Sequence, residues 1–389
     1  MTVLSVLVLV LSTPAVAQGT EPGGDNVVSN QVFLGTQEGE NTVVTNGPGI
    51  LNGPIDSDEA DALLDDFVEM GGELLGPAPS IDNVDQSILN AANLLLSRGT
   101  NLASATQVMQ GSQTARNLID EQGAGVVGTS TQTGENIANV IIATRVDEIR
   151  QSFGPDAMQE VFNTLRADSQ SGGTITQIGR NTANIVMAEI SIGSGEQLFP
   201  EGTVQRVENL VDFVQVGSNG GHIDQRGTNI GNVLMADEVH NVHRVFDGEQ
   251  IVNNVVSSAD GQTPGSVNQE GLNIANFVSA RVVSGLTQTS NGTQTVTNSL
   301  EGATLADYEA GLVPGWTQST TNIVNLLDIR GGGSPMPATS TGPSGETVTN
   351  GNPNANMPVS ATQNANQQQN FSGGNGNHMQ IGNAASVRY

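Results

Sequence analysis

A carboxamide side chain can donate two hydrogen bonds and accept two more without carrying charge. In this chain carboxamides recur at a fixed spacing. The clearest copy is Gln132-Thr133-Gly134-Glu135-Asn136-Ile137-Ala138-Asn139-Val140, the pattern Q-x-G-x-N-x-A-N followed by an apolar residue. It returns at Gln177 with Asn181 and Asn184, at Gln225 with Asn229 and Asn232, and at Gln269 with Asn273 and Asn276. Looser copies start at Gln86, with Asn90 and Asn93, and at Gln318, with Asn322 and Asn325. Degenerate copies start at Gln37 and Gln363, and the successive steps from 37 to 363 are 49, 46, 45, 48, 44, 49 and 45 residues. A second motif, Q-x-[VA]-x-N-x-[LIV], lies between them. It pairs Gln113 with Asn117, Gln159 with Asn163, Gln205 with Asn209, Gln250 with Asn254 and Gln294 with Asn298, and Glu346 opens a weak relative.

The chemistry open to such groups is mutual hydrogen bonding. A buried amide left alone costs several kcal/mol. Copies stacked about 4.8 Å apart place each amide against its own kind and satisfy both, as in cross-β order. The Gln and Asn of both motifs are therefore expected to form inward ladders. The corner residues Asn93, Asn139, Asn184, Asn232, Asn276 and Asn325 should form a further ladder, at a bend where Asn tolerates unusual backbone angles.

Other reactive groups are sparse. His240 and His243 stand near Asp237 and Glu238, but H-x-x-H on a strand sends the two rings to opposite faces, which suits a metal ion poorly. Arg145, Asp147, Glu148 and Arg150 could mark the outer face of a β-helical polysaccharide lyase, or simply a solvated charged strand. The acid-rich chain suits divalent cations such as calcium, yet the Gly-Gly-x-Gly-x-Asp run of calcium-binding solenoids is missing. Thr129–Thr133 and Thr293–Thr297 hint at an ice-binding array, but these threonines do not recur in register. No nucleophile triad, Walker loop or dinucleotide fingerprint stands out. No cofactor is expected.

The elements that hold the amides should be strands. Gln132, Gly134, Asn136, Ala138 and Val140 share one parity, and a strand sends alternate residues to one face. A helix would instead place Gly134, Gly179, Gly227 and Gly271 in its interior, each costing about 1 kcal/mol. The opposite parity varies, as at Thr133, Ile178 and Arg226, and is expected to face solvent. Ile137, Thr182, Ile230, Ile274 and Ile323 form an outward β-branched stripe on this reading, either a lateral contact or plain strand propensity. Ala143, Ala188, Ala236 and Ala280, each followed by a polar residue, suggest strand, corner, strand within a half-repeat.

The expected fold is all-β: a solenoid of rungs of about 23 residues, paired to a period of about 46. Roughly twelve such rungs would make a rod about 60 Å long. Residues 1–17 read as a signal peptide, apolar from Val3 to Leu11 and ending Ala15-Val16-Ala17. Residues 18–85 form a lead-in with a degenerate repeat. Within it, residues 57–75 carry the best helix pattern, a cap or an insertion. Residues 86–330 are the regular array, and 331–389 a Gly/Asn/Gln/Ser-rich tail in which Gln363 keeps the repeat phase.

Composition agrees. Cysteine is absent, all twelve basic residues are Arg, and the formal net charge is −27. Such a field repels nucleic acid and anionic membranes. Aromatic content of 3% is too low for a conventional core of this size, whereas a thin repetitive core remains within reach.

Gln-x-Gly followed by Asn-x-Ala, on half-repeats of about 23 residues, resembles the curlin repeat of curli-type bacterial surface fibres. Curlin repeats usually place one more residue between Gly and Asn, and the half-repeats here alternate in length. Length and repeat style are also similar to the curli-related holdfast anchors of stalked bacteria. The resemblance implies a secreted, outer-membrane-associated functional amyloid that serves cell adhesion and biofilm. Its partners would be copies of itself or related subunits and an outer-membrane secretion pore, and its role non-catalytic. A monomeric adhesin that binds polysaccharide is the alternative.

Overall fold

The computed structural model describes residues 27–43, 84–121, 128–167, 173–213, 221–258, 266–302, 316–330 and short strands between 338 and 388. The expected leader at 1–17 and the helix candidate at 57–75 lie outside the described residues. Every regular element described is a strand.

The chain builds layer upon layer. β1 (Val27–Phe33) and β2 (Thr36–Val43) form a partial first layer. The next three are β3 (Val84–Met109) with β4 (Ser112–Glu121), β5 (Thr129–Phe153) with β6 (Met158–Ala167), and β7 (Thr174–Phe199) with β8 (Val204–Phe213). In the fifth layer the long strand breaks into β9 (His222–Met235), β10 (Glu238–His240) and β11 (Val242–Phe246), followed by β12 (Glu249–Ser258). β13 (Ser266–Ala280), β14 (Val282–Ser290) and β15 (Thr293–Gly302) make the sixth, and β16 (Trp316–Arg330) opens the seventh. β17 (Ala338–Thr341), β18 (Thr347–Asn350), β19 (Val359–Ala365), β20 (Gln368–Ser372), β21 (Asn377–Ile381) and β22 (Ala384–Arg388) follow.

Two sheets result, one of fifteen strands and one of seven. The long strands and every short one outside the second sheet make the first sheet. β2, β4, β6, β8, β12, β15 and β20 make the second. Pairing is parallel throughout except between β17 and β18. In the first sheet Gln86 lies beside Gln132, then Gln177, Gln225, Gln269 and Gln318. In the second, Gln37 lies beside Gln113, then Gln159, Gln205, Gln250 and Gln294.

This register corrects the expected rung. Copies of one motif stack only on copies of the same motif, 44 to 49 residues away in the first sheet. One layer is therefore the whole period of about 46 residues, not half of it. The two motifs face each other from opposite sheets. Seven pairings lead from β1 to β21, so the stack is about 34 Å tall rather than about 60 Å. Two flanking assignments also shift: Gln37 belongs to the second motif's column, and Gln363 lies beside Gln288. Gln380, in the tail, lies beside Asn322. The segment after Glu346 forms β18, paired antiparallel with β17 and outside the second sheet.

Side-chain size explains why the two motifs are not interchangeable. A Cβ added at Gly134, Gly179, Gly227 or Gly271 would stand 2.2–2.5 Å from a methyl of Val161, Val207, Val252 or Val296 in the facing sheet. Glycine in one motif admits valine from the other, and the sheets close over that contact. The first described layers reverse the arrangement: Ile88 fills the gap left by Gly39.

Two further apolar columns complete the interior. Phe33, Met109, Phe153, Phe199 and Phe246 stack against Ala92, Ala138, Ala183 and Ala275. The rings of Phe153 and Phe199 lie 5.0 Å apart, and those of Phe199 and Phe246 5.2 Å. Beyond the corner asparagine, Ile141, Ala143, Val146 and Ile149 pack with their copies in other layers. The polar residues after Ala236 and Ala280 mark breaks, and there Arg281 and Asp237 pair across layers at 2.7 Å. The Gly-Ser-rich stretch Gly193–Glu196, whose composition suits a turn, lies inside β7.

The outer face is less solvated than its variability suggests. Ile178 and Arg180 are buried, and Arg180 meets Glu135 of the preceding layer at 3.0 Å. Ile137, Thr182, Ile230, Ile274 and Ile323 are also buried, so the stripe is not an exposed one. The strand bends at Asn139, and Ile137 packs with Val140 and Ile142 from beyond the bend.

Candidate functional site: stacked carboxamide columns

The two motifs place their amides in five columns. In the first-sheet glutamine column, Gln132 Nε2 donates to Gln86 Oε1 at 2.9 Å, Gln177 to Gln132 at 2.8 Å, Gln225 to Gln177 at 2.8 Å and Gln269 to Gln225 at 2.9 Å. Gln318 continues it at 3.4 Å. The second-sheet glutamine column runs the same way. Gln113 donates to Gln37 at 2.7 Å, Gln159 to Gln113, Gln205 to Gln159 and Gln250 to Gln205 each at 2.8 Å, and Gln294 to Gln250 at 2.7 Å.

Asparagines run the opposite way. Asn90 Nδ2 donates to Asn136 Oδ1, Asn136 to Asn181, Asn181 to Asn229, Asn229 to Asn273 and Asn273 to Asn322, all at 2.8–2.9 Å. In the second sheet Asn41 donates to Asn117 at 3.1 Å. Asn117, Asn163, Asn209 and Asn254 then each donate onward, ending at Asn298, at 2.8 Å. Glutamines thus donate toward the N-terminal layers and asparagines toward the C-terminal ones. Neighbouring columns carry opposed amide dipoles, and opposed dipoles side by side attract.

Each amide uses its second N–H to tie the sheets together. Gln132 donates to Thr164 O at 3.0 Å and Asn136 to Glu160 O at 2.9 Å. From the facing sheet, Gln113 donates to Ile137 O at 3.0 Å and Asn117 to Thr133 O at 2.9 Å. The columns therefore join layers vertically and sheets horizontally, and their members are buried.

The corner asparagines make the fifth column. Asn93, Asn139, Asn184, Asn232, Asn276 and Asn325 all adopt φ of 54–56°, the left-handed region. An L-residue other than Gly reaches it at a cost, least for Asn and Asp. Each but the last donates from Nδ2 to the Oδ1 of the next, at 2.8–2.9 Å.

A sixth column was not foreseen. Gln107 Nε2 donates to Gln31 Oε1 at 2.6 Å, Gln151 to Gln107 at 2.8 Å and Gln197 to Gln151 at 2.7 Å. The same nitrogens reach the main chain of the bend, as Gln151 does to Asn139 O at 2.6 Å. In the next layer Arg244 takes the glutamine's place, and its Nε donates to Gln197 Oε1 at 2.9 Å. The sequence signal was Gln-x-Phe or Gln-x-Met at Gln31, Gln107, Gln151 and Gln197, interrupted by Arg244-Val245-Phe246.

The remaining candidates do not converge. His240 lies 2.6 Å from Ser284 Oγ and 3.3 Å from Glu238, while His243 is exposed on the next strand. Among the described residues no group of three His, Cys, Asp or Glu is placed to hold a metal ion. Arg145 pairs with Asp147 at 2.7 Å and Arg150 with Glu148 at 3.2 Å, both on the exposed surface. Ser130 and Thr131 are buried, so Thr129–Thr133 does not present a flat outer array. No family model, curated protein or solved structure matches this chain.

Proposed function

We propose that the chain is a β-solenoid that serves as a non-catalytic structural protein of the bacterial cell surface. On this reading it is exported and adds to further copies through the ends of its stack, as a fibre subunit or as the anchor of adhesive material. The observation that carries the reading is the layer itself. Successive layers present aligned strands and, except at Arg244, the same column amides to the next, so a second copy can continue the stack with the kind of bonds already used inside it.

The first layer supports this. β1 pairs only with β3 and β2 only with β4 among the described residues, so each keeps one strand edge free for pairing. Val28, Val32 and Leu34 are exposed on that layer. Near the other end Gln318 Oε1 is buried without a hydrogen-bond partner among the described residues, an acceptor at the top of its column. The resemblance to curlin repeats points the same way.

Negative-stain microscopy of the purified full chain tests the proposal. Filaments of uniform width that lengthen with concentration are expected. Dispersed short rods at every concentration would overturn assembly and favour the monomeric adhesin.

A further inference from the structure

Arg244 stands where every other described layer of its column has glutamine. It is fully buried. Nε replaces the glutamine donor, but Nη1 and Nη2 have no hydrogen-bond partner among the described residues. An arginine does not shed its proton in a protein, and a buried charge without a partner costs several kcal/mol. Burial disfavours its charged form, and among the described residues no carboxylate pairs with it. This is a fixed cation in the interior of a chain whose net charge is −27.

The surroundings are altered at the same level. Gly231, in the same layer, replaces the alanine found at Ala183 below and Ala275 above. Ser290, one layer up, ends the column of large side chains that runs through Phe199 and Phe246. Ser290 Oγ is also buried and without a partner among the described residues. Two adjacent layers thus hold three buried atoms with protons to donate, with Gly231 between Ala183 and Ala275 and Ser290 above Phe246. Orphaned buried donors on this scale call for an ion or ordered water.

We propose that Arg244 and Ser290 form an internal halide site, which takes chloride from solvent as the layers close. A single-atom anion needs only donors directed at it. It also neutralises the guanidinium, which water does not do. Binding to the folded state alone raises the folded-to-unfolded ratio by 1 + [Cl⁻]/Kd, roughly thirtyfold at thirty times Kd.

The test is urea unfolding of the full chain at fixed ionic strength, with sodium chloride exchanged for sodium gluconate. The midpoint should rise with chloride and saturate, bromide should substitute, and Arg244→Gln should abolish the dependence. A midpoint equal in chloride and gluconate overturns the proposal, as does a dependence that survives Arg244→Gln. Crystals soaked in bromide decide independently of whether that variant folds. An anomalous peak within hydrogen-bond reach of Nη1 or Nη2 supports the site, and ordered water or no peak refutes it.

Discussion

Asn253 and Asn254 are consecutive residues of one strand with opposite fates, and replacing each by leucine isolates what a column amide contributes. Asn254 accepts from Asn209 Nδ2 at 2.8 Å, donates to Glu270 O at 2.9 Å and donates to Asn298 Oδ1 at 2.8 Å. Asn254→Leu removes all three bonds, two of them wholly buried and the third to a partly buried main-chain carbonyl. At about 2 kcal/mol for each of the two buried groups and about 1 kcal/mol for the carbonyl, the loss is about 5 kcal/mol. The added apolar burial returns about 2–3 kcal/mol, and the net destabilisation is about 2–3 kcal/mol. Asn253 is half-buried on the other face. Asn253→Leu should stay within about 0.5 kcal/mol of the parent. Urea unfolding followed by far-ultraviolet circular dichroism, at a protein concentration too low for assembly, reads both. Equal midpoints for the two variants would refute the reasoning, because composition and strand propensity change identically in each.

Two further substitutions probe shape and backbone. Gly227→Val drives a methyl into Val252 and should cost about 1–3 kcal/mol; adding Val252→Gly should restore most of it, as Ile88 and Gly39 already do in reverse, and a double variant no more stable than Gly227→Val alone would contradict the contact. At the corner, Asn232→Gly keeps φ of 56° accessible but removes the column bonds. Asn232→Ala removes both and should be about 1 kcal/mol less stable than the glycine variant in the same unfolding assay; the reverse order would show that the bend does not need the left-handed conformation.

Much of the interior was legible in the residues, for a physical reason. A buried amide is tolerated only with a partner, so Gln132, Asn136 and Asn139 at strand parity imply copies above and below. The corner was legible too, since Asn139 closes the motif just where the polar-apolar alternation shifts. The size of the layer was not. Both motifs begin with Gln and carry Asn four residues later, so they looked like successive rungs of one stack. What separates them is the residue between, Gly134 in one and Val161 in the other, which only makes sense if they face each other. The outer face was misread because variability at Thr133, Ile178 and Arg226 does not reveal that the strand bends at Asn139 and buries Ile137. The sixth column escaped notice because Gln107 and Gln151 have no asparagine four residues on, and Arg244 breaks the run.

The central claim is that each layer is about 46 residues and rests in register on its own kind. Spin labels measure this directly, since the chain has no cysteine of its own. Labels at Asn253 and Thr297, strand neighbours in adjacent layers, should show strong spin exchange in the continuous-wave spectrum at low protein concentration. Labels at Thr228 and Asn253, half a period apart and on opposite sheets, should show none. Exchange in the second pair and not the first would mean that half-repeats stack on each other, and the account would be wrong.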